Sequence, residues 1–346
     1  MRRPQKRRVP VMRVKTVRLA VLALSVGLSL SASLAQAEVL KDPQWRDWLE
    51  AGKSAELEQA AQTRLKSDPE DSQAVLALGL LALESGDAKR LEAAVKPVQA
   101  CADRQPAQAA CFYVLGSLQG VQAMNGGMMK AISLSGKIKD NLSRAVELDP
   151  LLFDARDALQ QFYLMAPGIA GGSVAKARDL AQAAQARQPE HAKLLRARVE
   201  MKEERWAEAE RELSAIKPGE DKDLLAGQRA GLYQLAIQLF SDKQYAKAKP
   251  IFERLQRDFP GHAAGHYGMG RLLSETGQID EAIKSLERAR TAEGAERYPV
   301  DHRLGFALLA KGDKTQGKSV LERFLGNKKA NPRNLDEVRK RLAELG

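Results

Sequence analysis

The sequence has few of the residues that most often build catalytic and metal sites. Its 346 residues include only two cysteines and four histidines, and aromatic side chains make up 5%. His262 and His266 have the i, i+4 spacing of two zinc ligands on one helix. The preceding Pro260 and Gly261 place His262 before a helix, however, and no carboxylate or cysteine completes a ligand set. No nucleophile elbow or serine–histidine arrangement is visible either, so we predict no catalytic residue, no metal and no cofactor.

Long hydrophobic runs are also missing. The apolar run Leu19–Leu30 has 12 residues, whereas a membrane-spanning helix needs about 20. It follows a basic head without acids and precedes a small-residue site that ends at Ala37, which is the order of a secretory signal peptide. We therefore expect residues 1–37 to be removed, leaving a periplasmic protein that does not insert into the membrane. Whether Met1 or Met12 is the true start stays open, and the lack of a cysteine near the cleavage site predicts no lipid anchor there.

A strong excess of one charge disappears once this head is set aside. The formal net charge of the whole sequence is +11, with 55 basic and 44 acidic residues. Eight of the basic residues lie in the head, so 47 basic residues face 44 acidic ones in the remainder. No basic run is left outside the head. Nearly balanced charge argues against a nucleic-acid partner.

What the sequence does contain is helix-forming residues in a repeated pattern. Ala, Leu, Glu, Lys, Arg and Gln dominate, and all of them favour helix. Glycines recur in pairs seven residues apart, each followed by an amphipathic stretch: Gly79 and Gly86, Gly270 and Gly277, Gly305 and Gly312. One helical hairpin cannot bury both of its faces, so such repeats predict an all-α stack of hairpins.

Residues 267–289 show the repeat most clearly. Their small and large apolar positions are Gly270, Leu273, Ala282 and Ala289. The period is 34 residues, as between Ala248 and Ala282. These positions and this period resemble the tetratricopeptide-repeat family. The resemblance implies a right-handed superhelical solenoid of about eight hairpins with a C-terminal capping helix, and a protein or peptide partner held in its groove.

In this register the chain divides into the signal peptide at 1–37 and a solenoid at 38–346. The predicted units are approximately 42–71, 72–105, 108–152, 153–191, 192–225, 229–262, 263–297 and 298–330, with the cap at 333–346. Two units break the period. The small-residue pair that spans 19 residues in the clear unit spans 29 from Gly116 to Ala145 and 24 from Gln160 to Ala184.

The extra residues form two insertions, at 123–136 and 166–173. They resemble a recurrent insertion, of the type Ala-Pro-Gly-Ile-Ala-Gly-Gly-Ser, in an uncharacterised group of exported bacterial tetratricopeptide proteins. Hairpin turns lie along one edge of a stack, so we expect the two insertions to touch, and insertions often mark a functional face. The candidate edge residues are Met124, Met128, Met129, Pro167, Gly171, Gly172 and Ser173.

These edge residues allow several interpretations. Ser173 is an expected N-cap, and the backbone around Gly171 and Gly172 either holds an anion at a helix start or forms a tight turn. The three methionines are candidates for soft copper ligands, for an adaptable apolar contact, or for ordinary packing.

The groove of the solenoid is predicted to be aromatic. Its candidate partner-binding residues, taken from the repeat register, are Tyr113, Tyr233, Tyr267, His302 and Phe306. Such a surface suits an apolar or extended peptide, or a helix. A clamp for a terminal carboxylate would need several basic residues, and only Arg271 qualifies. The alternative is that these side chains face a neighbouring segment of the chain.

Cys101 and Cys111 are separated by nine residues with Pro106 between them. In an oxidising compartment they suit a disulfide that joins the end of one helix to the start of the next. The alternative is two buried free thiols.

Taken together, the residues favour a periplasmic scaffold or adaptor that binds a peptide or an envelope protein through the groove, and not an enzyme. The alternative is a module that binds a small ligand, a lipid or an anion through the insertions of the third and fourth units.

Overall fold

The computed structural model describes residues 38–327 and 330–346. The predicted signal peptide lies outside these residues. The described chain forms 17 α-helices, two short 3₁₀ helices and no strand, which confirms the all-α prediction. The helices are α1 Pro43–Glu50, α2 Ser54–Ser67, α3 Ser72–Ser85, α4 Ala88–Arg104, α5 Ala109–Asn125, α6 Gly127–Leu148, α7 Phe153–Met165, α8 Val174–Ala184, α9 Pro189–Lys202, α10 Trp206–Ser214, α11 Lys222–Ser241, α12 Tyr245–Asp258, α13 Ala263–Glu275, α14 Ile279–Thr291, α15 Val300–Lys311, α16 Lys314–Leu325 and α17 Pro332–Leu345; the 3₁₀ helices are Gly168–Ala170 and Ala295–Arg297.

The helices pair along the chain as hairpins that stack on one another. α3 packs on α4, α5 on α6, α13 on α14 and α15 on α16. The first helix of each hairpin also packs on the first helix of the next, as α3 does on α5 and α11 on α13. The buried apolar residues accordingly form a series of clusters from the N-terminal to the C-terminal hairpins. Neighbour-to-neighbour burial of this kind is the architecture of a solenoid.

The two glycines of each pair have different tasks. A Cβ at Gly270 would lie 2.6 Å from Cγ of Leu286, so the missing side chain is what lets α13 and α14 approach closely. Gly277 follows the end of α13 and has a φ of +80°, a conformation that glycine adopts without steric cost. The seven-residue spacing is therefore the distance along a first helix from its crossing point to the turn that ends it.

The first insertion is helical. α5 has 17 residues and α6 has 22, whereas α13 and α14 have 13 each. The extra residues lengthen both helices, and the chain reverses direction at Gly126 and Gly127, of which Gly127 has a φ of +76°. The methionine- and glycine-rich segment is thus a projecting helical hairpin and not a loop between helices.

The second insertion is a compact turn that packs on α6. α7 ends at Met165, and the chain continues through the 3₁₀ helix Gly168–Ala170 to Ser173. This 3₁₀ helix contacts α6, and Gly171 lies beside the Lys139 side chain. The turn therefore packs on the helix that carries most of the first insertion.

Two further features hold the stack together. Cys101 at the end of α4 and Cys111 in the first turn of α5 are both buried, and they are joined by a disulfide with their Cα atoms 5.8 Å apart. At the other end, α17 packs on α16 through Val338, which is fully buried and clusters with Leu321 and Phe324. The remaining faces of α17 are charged, as a solenoid end requires.

Candidate functional site: an apolar cleft at the insertions

Exposed apolar side chains are concentrated on the two insertions. Seven large apolar residues are exposed in the described chain, and six of them lie on or directly beside the insertions: Met124, Met128, Met129, Ile132, Met165 and Ile169. The seventh is Leu225, which is only 37% exposed. Single exposed apolar residues are normal on a protein surface, but a contiguous group marks an interaction or ligand site.

Four of these six side chains, Met124, Met128, Ile132 and Met165, line a cleft of about 490 Å³ between α5, α6, α7 and the turn that follows α7. We call it the insertion cleft. Its apolar wall consists chiefly of Met124, Met128, Ile132, Phe162, Met165 and Pro167. The volume lies within the range of roughly 300–1,000 Å³ that is usual for ligand pockets.

The lengthened hairpin α5–α6 creates the cleft, because its two helices are close at the base and open further along. A Cβ at Gly116 would lie 2.8 Å from Leu142 across the hairpin, whereas a Cβ at Gly120, one turn later, would meet nothing within 4 Å. Gly120 lines the cleft. The absence of a side chain at this position therefore leaves space at the centre of the cleft.

The inner end of the cleft is polar. Tyr113, Ser117, Asp154, Asp157 and Gln161 line it from α5 and α7. Asp157 forms an ion pair with Arg198 and accepts a hydrogen bond of 2.7 Å from Nε2 of Gln161. Asp154 has no hydrogen bond or ion pair within the described chain. The cleft thus combines an apolar outer wall with one carboxylate, that of Asp154, that has no ion-pair partner at its inner end.

The surroundings of Asp154 disfavour its ionised form. Desolvation by the cleft walls, together with the negative charges of Asp223 and Asp221, raises the pKa of Asp154 to about 6. Asp154 is nevertheless an exposed residue, so solvent screens much of this effect. Burial and the charge of Asp154 also raise the pKa of Tyr113, so the Tyr113 hydroxyl keeps its proton at neutral pH and can donate a hydrogen bond.

The predicted Gly-Gly-Ser segment is a structural turn. The backbone N–H of Gly171 donates to the Gly168 carbonyl at 3.0 Å, that of Gly172 to Pro167 at 3.1 Å, and that of Ser173 to Tyr163 at 2.8 Å. Ser173 is the N-cap of α8 and accepts from the Lys176 N–H at 3.3 Å. These three N–H groups already donate to backbone carbonyls, so they are not available to bind an anion. The geometry supports the tight-turn interpretation. Glycine is required at position 172, where a Cβ would lie 1.8 Å from the Ala166 carbonyl oxygen.

The predicted groove residues separate into two places. Tyr113 is partly buried and lines the insertion cleft together with Met124, Met128 and Pro167, so this groove residue and the insertion edge belong to one site. Tyr233 and Tyr267 instead pack against Tyr298, with ring centroids 5.2 and 5.0 Å apart. Tyr267 is 3% exposed and has no surface to offer a partner. For these two tyrosines the alternative prediction holds: they contact a neighbouring segment of the chain, at Tyr298.

His302 and Phe306 belong to the C-terminal end of the stack. His302 is fully buried, and its Nε2 lies 3.0 Å from Oε2 of Glu337 on α17. The rings of His302 and Phe306 are 5.0 Å apart. The repeat register places both residues on the groove face of α15, but α17 packs over that face. The prediction that His302 is an accessible groove residue is therefore wrong.

The two spaced histidines have structural roles. His262 precedes α13 as its N-cap, and its Nδ1 accepts from the Ala264 N–H at 3.1 Å. His266 donates through Nε2 to the Pro260 carbonyl at 3.0 Å. In residues 38–327 and 330–346 there is no group of three or more His, Cys, Asp or Glu side chains placed to hold a metal ion.

Several residues of the cleft were not among the candidates from the sequence, and Ile132, Met165 and Asp154 are the most informative of them. Ile132 lies within the first insertion and Met165 directly precedes the second, so counting every large apolar residue of these segments and their immediate neighbours would have found both. Asp154 gave no signal, because acidic residues are abundant on the helices and usually lie on solvated faces. Only the packing of α7 against α5 shows that this carboxylate lies at the end of an apolar cleft.

The stacked hairpins, the close crossings at glycine and the charged terminal helix define a helical-repeat protein. Residues 239–298 match a family model described as "Tetratricopeptide repeat". This segment, which includes α12, α13 and α14, is therefore similar to tetratricopeptide repeats. Proteins built on this fold are in general scaffolds for protein–protein interaction and generally not enzymes.

Solved structures with a similar course of the chain share little sequence with it. A tetratricopeptide repeat protein from Parabacteroides merdae is 13% identical, with a TM-score of 0.48, 77% of this chain covered and 96% of that one. PilF from Pseudomonas aeruginosa is 19% identical, with a TM-score of 0.42 and coverages of 70% and 99%. A chain of the APC/C hetero-tetramer Cut9-Hcn1 is 14% identical, with a TM-score of 0.45; 86% of this chain is covered, and it spans 54% of that longer chain. No curated protein sequence matches the chain significantly.

None of the helices in the described part of the chain is both long and apolar enough to cross a bilayer.

Proposed function

We propose that this protein is an exported, periplasmic scaffold that binds an apolar segment of a partner protein in the insertion cleft. The observation that carries the proposal is the placement of six of the seven exposed large apolar side chains on or beside the two insertions. Exposure of this kind costs solubility, so its concentration around one cleft favours a surface that a partner covers. The partner is a peptide segment or a helix of another envelope protein.

The chemistry of the wall suits a protein partner. Methionine side chains are unbranched and polarisable, so they adapt to apolar residues of different shape. Three exposed methionines, Met124, Met128 and Met165, belong to the wall. The polar inner end offers the hydroxyl of Tyr113 and the carboxylate of Asp154 for orienting a bound segment. A few polar groups within a largely apolar site are the usual means of fixing orientation.

A second candidate is an apolar small molecule such as an acyl chain, which the volume of about 490 Å³ favours. Both candidates use the same wall, and they differ in what is recovered from the cleft. A crosslink to a polypeptide supports the scaffold, whereas a lipid retained in the native mass spectrum of protein purified from the cell envelope supports the small-molecule site.

Site-specific photocrosslinking in intact cells tests the proposal. A benzophenone amino acid at Met128 is expected to give a discrete crosslinked polypeptide, and the same group at the exposed Glu287 of α14, far along the stack, is expected to give none. Gly120→Phe fills the cleft from α5, because a Cβ there meets nothing within 4 Å, and it should abolish the Met128 crosslink. Gly136→Phe is the matched control, since Gly136 is also helical, has equally open surroundings and does not line the cleft.

Two results would contradict this function. One is a Met128 crosslinking pattern that Gly120→Phe leaves unchanged, and the other is the same set of products from Met128 and Glu287. Export is tested separately by fractionation and intact mass. The periplasmic protein is expected to begin at Glu38, and a full-length protein confined to the cytoplasm would refute the periplasmic location.

A further inference from the structure

We propose that the occupant of the insertion cleft is an amphipathic peptide segment that places a lysine or arginine against Asp154 while its apolar residues fill the methionine wall. This inference rests on the proposed function and names the chemistry of the partner. It follows from the asymmetry of the cleft, from the charges around its inner end and from the distance between its two ends.

The cleft is apolar at one end and acidic at the other. Asp154 lies in the first turn of α7, and Met165 is the last residue of the same helix. Eleven residues separate them, so at 1.5 Å per residue the two ends are about 16 Å apart. A bound helix spans that distance with about eleven residues, and an extended segment with about five. The basic residue of the partner is therefore expected within about eleven residues of its apolar anchors if the segment is helical, and within about five if it is extended.

The negative charge at the inner end is largely uncompensated. Asp157 is neutralised by Arg198, but Asp154 has no ionic partner in the described chain. The acids that face it across the solenoid are Asp221 and Asp223 at the start of α11, whose charges act on Asp154 directly.

The nearby bases do not cancel this charge. Lys222 pairs with Glu50 at 3.1 Å. His191 lies 3.4 Å from Asp221, but burial lowers the pKa of His191, so its imidazole is mainly neutral at pH 7. Asp154, Asp221 and Asp223 together therefore produce a negative potential at the inner end.

A cation on the ligand fits this arrangement better than a neutral or anionic group. It would gain the attraction of Asp154 and Asp223, which are both exposed, so each pair contributes the modest energy of a surface ion pair. An anionic lipid headgroup at the same place would meet like charges and lose affinity. Charge complementarity of this type fixes register and excludes wrong partners.

Selection from a phage-displayed library of random 16-residue peptides on the whole mature protein tests the inference. Binders are counter-selected against Gly120→Phe, so that only peptides that need an open cleft remain. These peptides are expected to be enriched in Leu, Met, Ile or Phe, together with a Lys or Arg within eleven residues of the apolar cluster. Asp154→Asn is expected to weaken the binding of such a peptide about three- to tenfold. Asp179→Asn, an exposed acid on α8 outside the cleft, is expected to change nothing.

A double-mutant cycle separates a direct contact from a general charge effect. Replacing the basic residue of the best peptide by norleucine keeps its apolar stem and should weaken binding to the wild-type protein by a similar factor. On Asp154→Asn the same replacement should have little further effect. Circular dichroism and thermal unfolding verify that each protein variant is folded.

The possible failures are distinguishable. Cleft-dependent peptides without enrichment of Lys or Arg, or additive effects in the cycle, would overturn this inference and leave the apolar docking function standing. The absence of any peptide that discriminates the wild type from Gly120→Phe would overturn the peptide-binding function and this inference with it. A lipid retained in the native mass spectrum would then identify the small-molecule candidate as the remaining explanation.

Discussion

Replacing Gly268 by alanine tests whether close contact between helices is what the glycines inside the first helices provide. Gly268 lies in α13, and a Cβ there would sit 2.1 Å from Cε1 of Phe252 and 2.4 Å from its Cδ1. Phe252 is fully buried, and its ring centroid lies 6.4 Å from that of Tyr233. The phenyl ring is therefore enclosed and cannot turn out into solvent to relieve the overlap.

The magnitude follows from two opposing terms. Overpacking of a core costs about 1–3 kcal/mol, whereas alanine in place of glycine inside a helix gains about 0.5–1 kcal/mol. A separation of 2.1 Å is far inside contact distance, so we expect the upper part of the first range and a net loss of about 2 kcal/mol in the free energy of unfolding. Gly120→Ala is the matched control, because its Cβ meets nothing within 4 Å and only the gain of about 0.5–1 kcal/mol remains.

Urea unfolding followed by circular dichroism compares the free energies of unfolding of Gly268→Ala and Gly120→Ala. The variants are compared at a shared m-value, so that a change in midpoint reports stability. A rescue variant sharpens the test. Phe252→Leu replaces the ring with a smaller side chain and relieves the overlap, so the double variant with Gly268→Ala should be more stable than the sum of the single effects predicts. The reasoning is refuted if Gly268→Ala is as stable as Gly120→Ala, or if the two changes at positions 252 and 268 are additive.

Three further predictions concern charge, the disulfide and the terminal helix. Because the pKa of Asp154 is raised to about 6 in the folded protein from an ordinary value of about 4, the folded state loses stability as pH rises through that window. Asp154→Asn should thus raise the melting temperature at pH 7.5 but not at pH 4, and thermal scans with an equal effect at both pH values would contradict this. Replacing Cys101 and Cys111 by alanine removes a short cross-link and should cost about 2–3 kcal/mol; reductant should lower the urea midpoint of the wild type and leave that of the double variant unchanged, and a wild-type midpoint insensitive to reductant would count against the disulfide. Val338→Asp buries a charge at the α16–α17 contact and should free α17; hydrogen exchange in α17 should rise for this variant and stay unchanged for the exposed Arg339→Asp, while protection equal in both would refute the docking.

Much of the architecture was predictable because it depends on local pattern. Small residues at Gly270 and Gly305 mark helix crossings wherever they occur, since a side chain there meets the opposite helix at about 2.5 Å. The glycines that end first helices are also readable, because glycine adopts a left-handed turn without steric cost; Glu204 and Lys243 adopt the same conformation after α9 and α11, so glycine is favoured there but not required. The N-cap role of Ser173 was predictable for the same reason.

The site was predictable only in part. The broken period located both insertions, and the geometry of stacked hairpins predicted that they lie along the same edge. It did not show that the first insertion is helical, because glycine-rich sequence is compatible with a turn flanked by two long helices as well as with a loop. It also did not show that Tyr267 and His302 are covered, since Tyr298 and α17 come from segments that register alone does not place.

The sequence by itself determined the helical repeat and the two places where it is interrupted, because both are properties of spacing along one chain. Only the tertiary structure decided that the interruptions and Tyr113 enclose one cleft, and that Asp154 stands uncompensated at its inner end. These depend on which helices lie side by side and on which charges find partners across the stack. An abundant residue such as aspartate becomes distinctive when packing gives the other acid of the cleft, Asp157, an arginine and leaves Asp154 without one.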